Sequence, residues 1–288
     1  TIHQTILGYK KFKEKFKKFL YFPENNFYLI HKKSLISFNN YKKVFQNLNL
    51  NFREVKKKKI SEYINLSNID GVINTEEGVI LLEKLFSFLK KEISNKVRIY
   101  KSTRISKIDA NKGAIYSQKL NLSGYNYIIN TTYTNPNLGL DKDKFKIKYE
   151  LTGMVRLKNP FKKSLGFTIM DGNYCSLYPQ NKFYSTVSSV KYTPIMKSNF
   201  YSEIIHQKRL IDEKKVKTKI INDARKYIKL RDNYEETDLI IGNKVKLKRD
   251  KNDTRYSIIK RNDKVISILC GKLDAVTIIY NDLKKILF

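Results

Sequence analysis

Residues 264–272 read KVISILCGK, and an apolar helical pattern follows as far as Leu287. A short β-branched run bounded by lysine and glycine has the length and residue types of a buried strand. The glycine then opens a helix whose first N–H groups have no partner within it. Such a strand–glycine–helix unit turns a positive dipole end toward an anion, or toward a carbonyl that gains negative charge. Taken alone it reads first as an ordinary β–α unit with a glycine turn.

The order of the preceding segments decides between these readings. Tyr127–Asn130 (YIIN) is a second continuous apolar run, of the kind found in strands covered on both faces of a parallel sheet. Before it, Arg104–Ile108 and Gly113–Ser117 predict a hairpin and Val97–Tyr100 a strand. Val79, Leu82, Leu85, Phe86 and Leu89 follow a 3.6-residue period, so a helix is expected up to about Lys91. Asn74 or Thr75 would cap it, with Glu76 and Glu77 in its first turn. From 144 to 190 the chain changes to alternating segments at 145–151, 153–157, 166–170, 174–178 and 183–190, the spacing of an antiparallel sheet. A charged helical stretch spans about Ser202 to Leu230. An α/β half, an antiparallel insertion and a closing β–α unit that returns to the first half together predict a mixed α/β (α+β) chain of two interleaved domains.

The amino-terminal stretch places Phe12, Phe16, Phe19 and Leu20 at helical spacing among lysines, a basic amphipathic helix over 1–20. A strand is expected at Phe27–His31 and a helix at Asn40–Leu48. The Lys56–Lys59 run is expected to be a solvated loop.

The 288 residues include 48 Lys and 10 Arg, and the net charge is +31. A charge of this size makes a polyanion, nucleic acid included, a candidate partner. Arg, the residue that forks onto phosphate and guanine, is scarce, however. The abundance of Lys, Asn, Ile, Tyr and Phe beside only four Ala matches A/T-rich codon usage. No apolar run reaches the roughly 18–20 residues of a membrane span. The start at Thr1 shows no secretory leader core. Two cysteines make neither a disulfide framework nor a zinc cluster, so a cytoplasmic location is expected. His3, His31 and His206 have no metal-ligand spacing.

Asp70–Leu89 (DGVINTEEGVILLEKLFSFL), Val97–Ile108 (VRIYKSTRISKI) and Tyr127–Tyr133 (YIINTTY), with the final thirty residues, resemble the FAD-dependent oxidoreductase superfamily that includes D-amino-acid and glycine oxidases. The resemblance implies FAD as cofactor and hydride transfer from an amine, amino acid or sugar-like small molecule. It implies an incomplete FAD-binding Rossmann-like domain (68–143 and 259–288) interrupted by a mostly antiparallel substrate domain (21–67 and 144–258). Ile105 would abut the adenine through its backbone. Thr131 and Thr132 stand where the family has the alanine and threonine of Asn-Ala-Thr-Gly, and Tyr133 stands at the glycine. Gly271 and Lys272 would face the flavin. Cys175 and Tyr178, in MDGNYCSLYP, would line the substrate pocket, with Tyr174 and Tyr192 as further candidates. The family's Gly-x-Gly-x-x-Gly diphosphate loop is absent from these residues, so the chain reads as lacking its amino-terminal portion. A non-enzymatic polyanion-binding protein is the alternative.

Overall fold

The central layer is a nine-stranded sheet among the residues described by the computed structural model, which are 2–230, 234–249, 255 and 257–288, with side chains from Thr5 onward. Its order is Pro194–Ser198, Ile147–Lys158, Tyr184–Ser189, Cys175–Pro179, Leu165–Met170, Asn25–His31, Ile69–Thr75, Phe52–Glu54. Glu236–Leu247 lies along the other side of Ile147–Lys158 and forms an outer edge. All neighbours are antiparallel except Leu165–Met170 and Asn25–His31, which run parallel. Strict alternation places every second residue of Cys175–Pro179 and Tyr184–Ser189 in the core.

The helices are α1 (Ile2–Phe16), α2 (Phe38–Asn47), α3 (Leu82–Ser94), α4 (Tyr201–Arg209), α5 (Glu213–Arg225) and α6 (Val276–Leu287). Asp212 caps α5 by accepting from the Lys215 N–H. That helix lays Ile220, Ile221 and Ala224 on the sheet face formed by Val155, Phe167, Leu177 and Val187. Phe167 is fully buried there. Its truncation to alanine would cost about 3–5 kcal/mol through lost transfer energy and the cavity left behind.

A second, smaller layer pairs Ile128–Asn130 parallel to Val265–Leu269, with Ile258–Asn262 antiparallel on the far side. Every residue of Val265–Leu269 is buried. Ile266 and Ile268 pack under Ile279 of α6, while Val265 packs under Ile108 and Ile115 of the Ile105–Asp109/Ala114–Ser117 hairpin. Cover on both faces accounts for the uninterrupted apolar run. Helix α1 closes the layer by packing on α6 and on the Leu273–Ala275 turn.

Several elements differ from the sequence-based expectation. Ile69–Thr75 is a strand, and α3 starts only at Leu82. Asn74 and Thr75 cap nothing: Asn74 donates to Asn25, and Thr75 accepts from Asn26 Nδ2, because strand pairing uses the side chains a cap would need. Val97–Tyr100 forms no strand and is exposed. The two segments expected at 145–157 are one continuous strand, since Thr152 stays in register across it. The 202–230 stretch is two helices separated at Leu210–Ile211. The carboxyl-terminal helix starts at Val276, after a 3-10 turn at Leu273–Ala275. No described helix is long and apolar enough to cross a membrane.

Candidate active site

On the sheet face opposite α5, a cavity of about 400 Å³ lies between the sheet, α1 and α2. The sheet supplies Tyr28 and Thr75, and the connection that leaves its strand Ile69–Thr75 supplies Glu76 and Glu77; α1 supplies Tyr9, Lys10 and Lys13. Phe45, Leu50 and Asn51 wall the α2 side, and Asp274 reaches in from the segment after Gly271-Lys272. Residues of both layers therefore meet at one concavity, the usual place for a small-molecule site.

Glu77 organises its polar wall. Its Oε2 accepts from the Tyr28 hydroxyl at 2.5 Å and from Asn26 Nδ2 at 3.2 Å, and its carbonyl accepts from the Tyr178 hydroxyl at 3.1 Å. A phenol donating to a carboxylate is a short, charge-assisted bond. Burial, then the Glu77 charge, holds Tyr28 and Tyr178 well above the ordinary phenol range. Tyr9 is raised by burial and Glu77, with the Gly78 N–H opposing. The arrangement offers a fixed carboxylate for an ammonium group or a proton, facing lysines suited to an anionic end.

Tyr178 is thus brought to the cavity through Glu77, and Cys175 is not. Three positions along one strand place them on opposite sheet faces. Cys175 sits in the main core near Asp223, and burial, reinforced by that charge, pushes its thiol up to about 12. Tyr174 and Tyr192 also pack on that core. His31 is a buried ring stacked on Tyr174 at 4.6 Å, its Nδ1 accepting from the Lys33 N–H. Burial and the adjacent lysines lower its pKa. His206 is exposed, and the His3 side chain lies outside the described residues. No metal-holding cluster occurs among the described residues.

The cofactor candidates divide similarly. Ser267 is level with Asn130 across the parallel pair, so Thr131–Thr132 and Gly271–Lys272 leave by the same carboxyl edge. Crevices outside such edges are where open α/β sheets bind ligands. Asn130 is buried and shapes the turn, its Oδ1 accepting from both the N–H and the hydroxyl of Thr132. Tyr133 has φ +60°, the left-handed conformation that glycine adopts freely, so the backbone keeps a glycine-like shape with a tyrosine in place. Ile105 lies apart, at the start of the hairpin sheet opposite Ser117.

Nothing in the sequence marks Glu77, Tyr28, Tyr9 and Asp274 as pocket residues. They come from four distant segments, and Glu77 carried only the signal of a helix first turn.

No protein-family model and no curated protein matches the sequence. Solved structures do match. Glycine oxidase from Bacillus cereus ATCC 14579 superimposes with a TM-score of 0.69 at 9% identity, over 98% of this chain and 80% of that one. A modified fructosyl peptide oxidase from Aspergillus nidulans gives 0.65 at 9%, over 95% and 73%. L-proline dehydrogenase from P. horikoshii gives 0.59 at 13%, over 95% and 74%. The fold is that of the D-amino-acid and glycine oxidase class. These likenesses give no support to the polyanion-binding alternative.

Proposed function

We propose that the chain forms the substrate layer and part of the cofactor layer of an FAD-dependent oxidoreductase. Hydride would pass from an amine, amino acid or sugar-like substrate to the flavin. The observation that carries this reading is the cavity, where Glu77, just beyond a strand of the large sheet, and Asp274, just beyond the glycine turn, face one space.

The residues at the carboxyl edge suit the ends of FAD. Thr277 Oγ1, at the start of α6, is buried without a hydrogen-bond partner among the described residues, as expected where a ligand oxygen would come. Thr131, Thr132, Gly271 and Lys272 would hold the flavin side, and Ile105 the adenine side. When bound, FAD supplies the two-electron acceptor. The protein's own part is to hold the substrate's polar end on Glu77 and Tyr28 and to exclude water with Phe45 and Leu50.

We divide the chain into a cofactor side (68–143 and 259–288) and a substrate side (21–67 and 144–258), with Ile69–Thr75 paired into the substrate sheet. Ile129 and the α3 residues Leu82, Phe86 and Ile93 are exposed apolar groups on the cofactor side. They suit the packing of a further βαβ unit that would carry the diphosphate loop. About a fifth to a quarter of each structural neighbour has no counterpart here. Both cysteines are free thiols, which fits a reducing cytoplasm.

The test is flavin content and flavin reduction. Protein expressed with its natural coding sequence is purified, scanned for a visible flavin band, and mixed anaerobically with amines, amino acids and amino sugars. Bleaching of the band by one of these classes is expected. Colourless protein that fails to quench added FAD overturns the proposal.

A further inference from the structure

On the opposite sheet face from the candidate active site lies a cavity of about 430 Å³. Its walls are Phe27, Val55, Ile60, Tyr63 and Leu165, and its rim carries Arg53, Lys56, Lys59 and Lys163. The rim cations come from three places: the edge strand Phe52–Glu54, the 3-10 turn Lys57–Ile60 with its preceding residue, and the loop before Leu165–Met170.

The lysine run at 56–59 is sorted by this geometry. Lys56 and Lys59, three apart on a 3-10 turn, share the cavity side. Lys57 donates instead to the Ile69 carbonyl at 3.1 Å. Ile60, next in sequence, is fully buried in the wall. Two carboxylates share the rim, and Glu54 is already bridged by Lys42 at 2.9 Å. Four cations and two carboxylates, one of them already bridged, thus surround a concavity of mixed polar and apolar walls, and the balance of charge at its mouth is positive. A concave surface with an excess of one sign of charge favours an opposite charge at its mouth.

We propose that this cavity is a second binding site, for a small organic anion with a ring or aliphatic body. The body would lie on Phe27, Tyr63 and Leu165, and the anionic group would face Lys59, Lys163 and Arg53. The site stands on its own residues and does not rest on the flavin reading.

The probe pair is 1-naphthoate and its neutral isostere 1-naphthalenemethanol, followed by amide shifts of the isotope-labelled full chain. The expected result is that 1-naphthoate moves signals of residues 53–63 and 163–165. The neutral isostere should bind about tenfold or more weakly, a difference of about 1.4 kcal/mol. Lys59→Glu/Lys163→Glu should weaken 1-naphthoate about tenfold, whereas Lys284→Glu/Lys285→Glu on α6 should leave it within about twofold. Both pairs are exposed or at a rim, and an unchanged spectrum elsewhere verifies folding. Shifts outside the cavity, equal binding of the isostere, or equal losses in the two charge variants would each overturn the proposal.

Discussion

The Tyr133 hydroxyl accepts a hydrogen bond from the Val245 N–H at 3.1 Å. Val245 belongs to the outer edge strand Glu236–Leu247, and Tyr133 follows the carboxyl end of the strand Ile128–Asn130 in the small sheet. One bond therefore ties the cofactor-side turn to the large sheet and satisfies a backbone donor at its edge. Tyr133→Phe should lower stability by about 1–2 kcal/mol, since the partner N–H loses its acceptor. Urea denaturation of the two proteins measures it; an unchanged midpoint would show that water replaces the hydroxyl without cost.

Glu77→Gln keeps the shape of the wall and removes the charge. Within the proposed oxidoreductase, kcat/KM for an amine substrate should fall about tenfold or more, with stability changed by about 1 kcal/mol at most. A loss confined to KM would assign Glu77 to binding the cationic group alone.

Tyr28, Tyr41 and Tyr178 are raised above the ordinary phenol value mainly by burial, with Glu77 adding to each. Above pH 10 the unfolded chain gives up these protons and the folded chain keeps them. The stability they contribute is therefore complete below pH 10 and declines as pH rises beyond it. Ultraviolet titration should show a late tyrosinate step that coincides with loss of the folded circular dichroism signal. Early, fully reversible ionisation of every tyrosine would contradict this.

Cys175 should resist thiol reagents at neutral pH, because its thiol is buried and pushed up to about 12. Mass spectrometry after iodoacetamide treatment is expected to find Cys175 unmodified in native protein and alkylated in denaturant. Native labelling there would mean that α5 opens from the sheet.

The elements legible in the sequence were those whose pattern is local. Lys264–Leu269 and Tyr127–Asn130 announce themselves by apolar runs, and α1 and α3 by their periodicity. Ile69–Thr75 is not legible, because Asn74, Thr75, Glu76 and Glu77 imitate a helix start, while Asn74, Thr75 and Glu77 find their hydrogen-bond partners among Asn25–Tyr28, about fifty residues upstream. Glu236–Leu247 (ETDLIIGNKVKL) has Gly242 at its centre and weak alternation, and its burial is mostly partial. It is a strand only because Ile147–Lys158 pairs along nearly its whole length. The same contrast holds for the candidates: Thr131, Thr132 and Gly271 are proposed from their position in a motif. Glu77 and Tyr28 become a pair only when two strands align.

The short strand Ile128–Asn130 is paired on one side only among the described residues, and its Ile129 side chain is exposed. An uncovered parallel edge with an exposed apolar side chain is a template for joining one molecule to the next. The net charge of +31 opposes that encounter through mutual repulsion. Added salt weakens the repulsion without weakening the sticky edge, so the lysines act here as a colloidal safeguard whose protection fades as ionic strength rises.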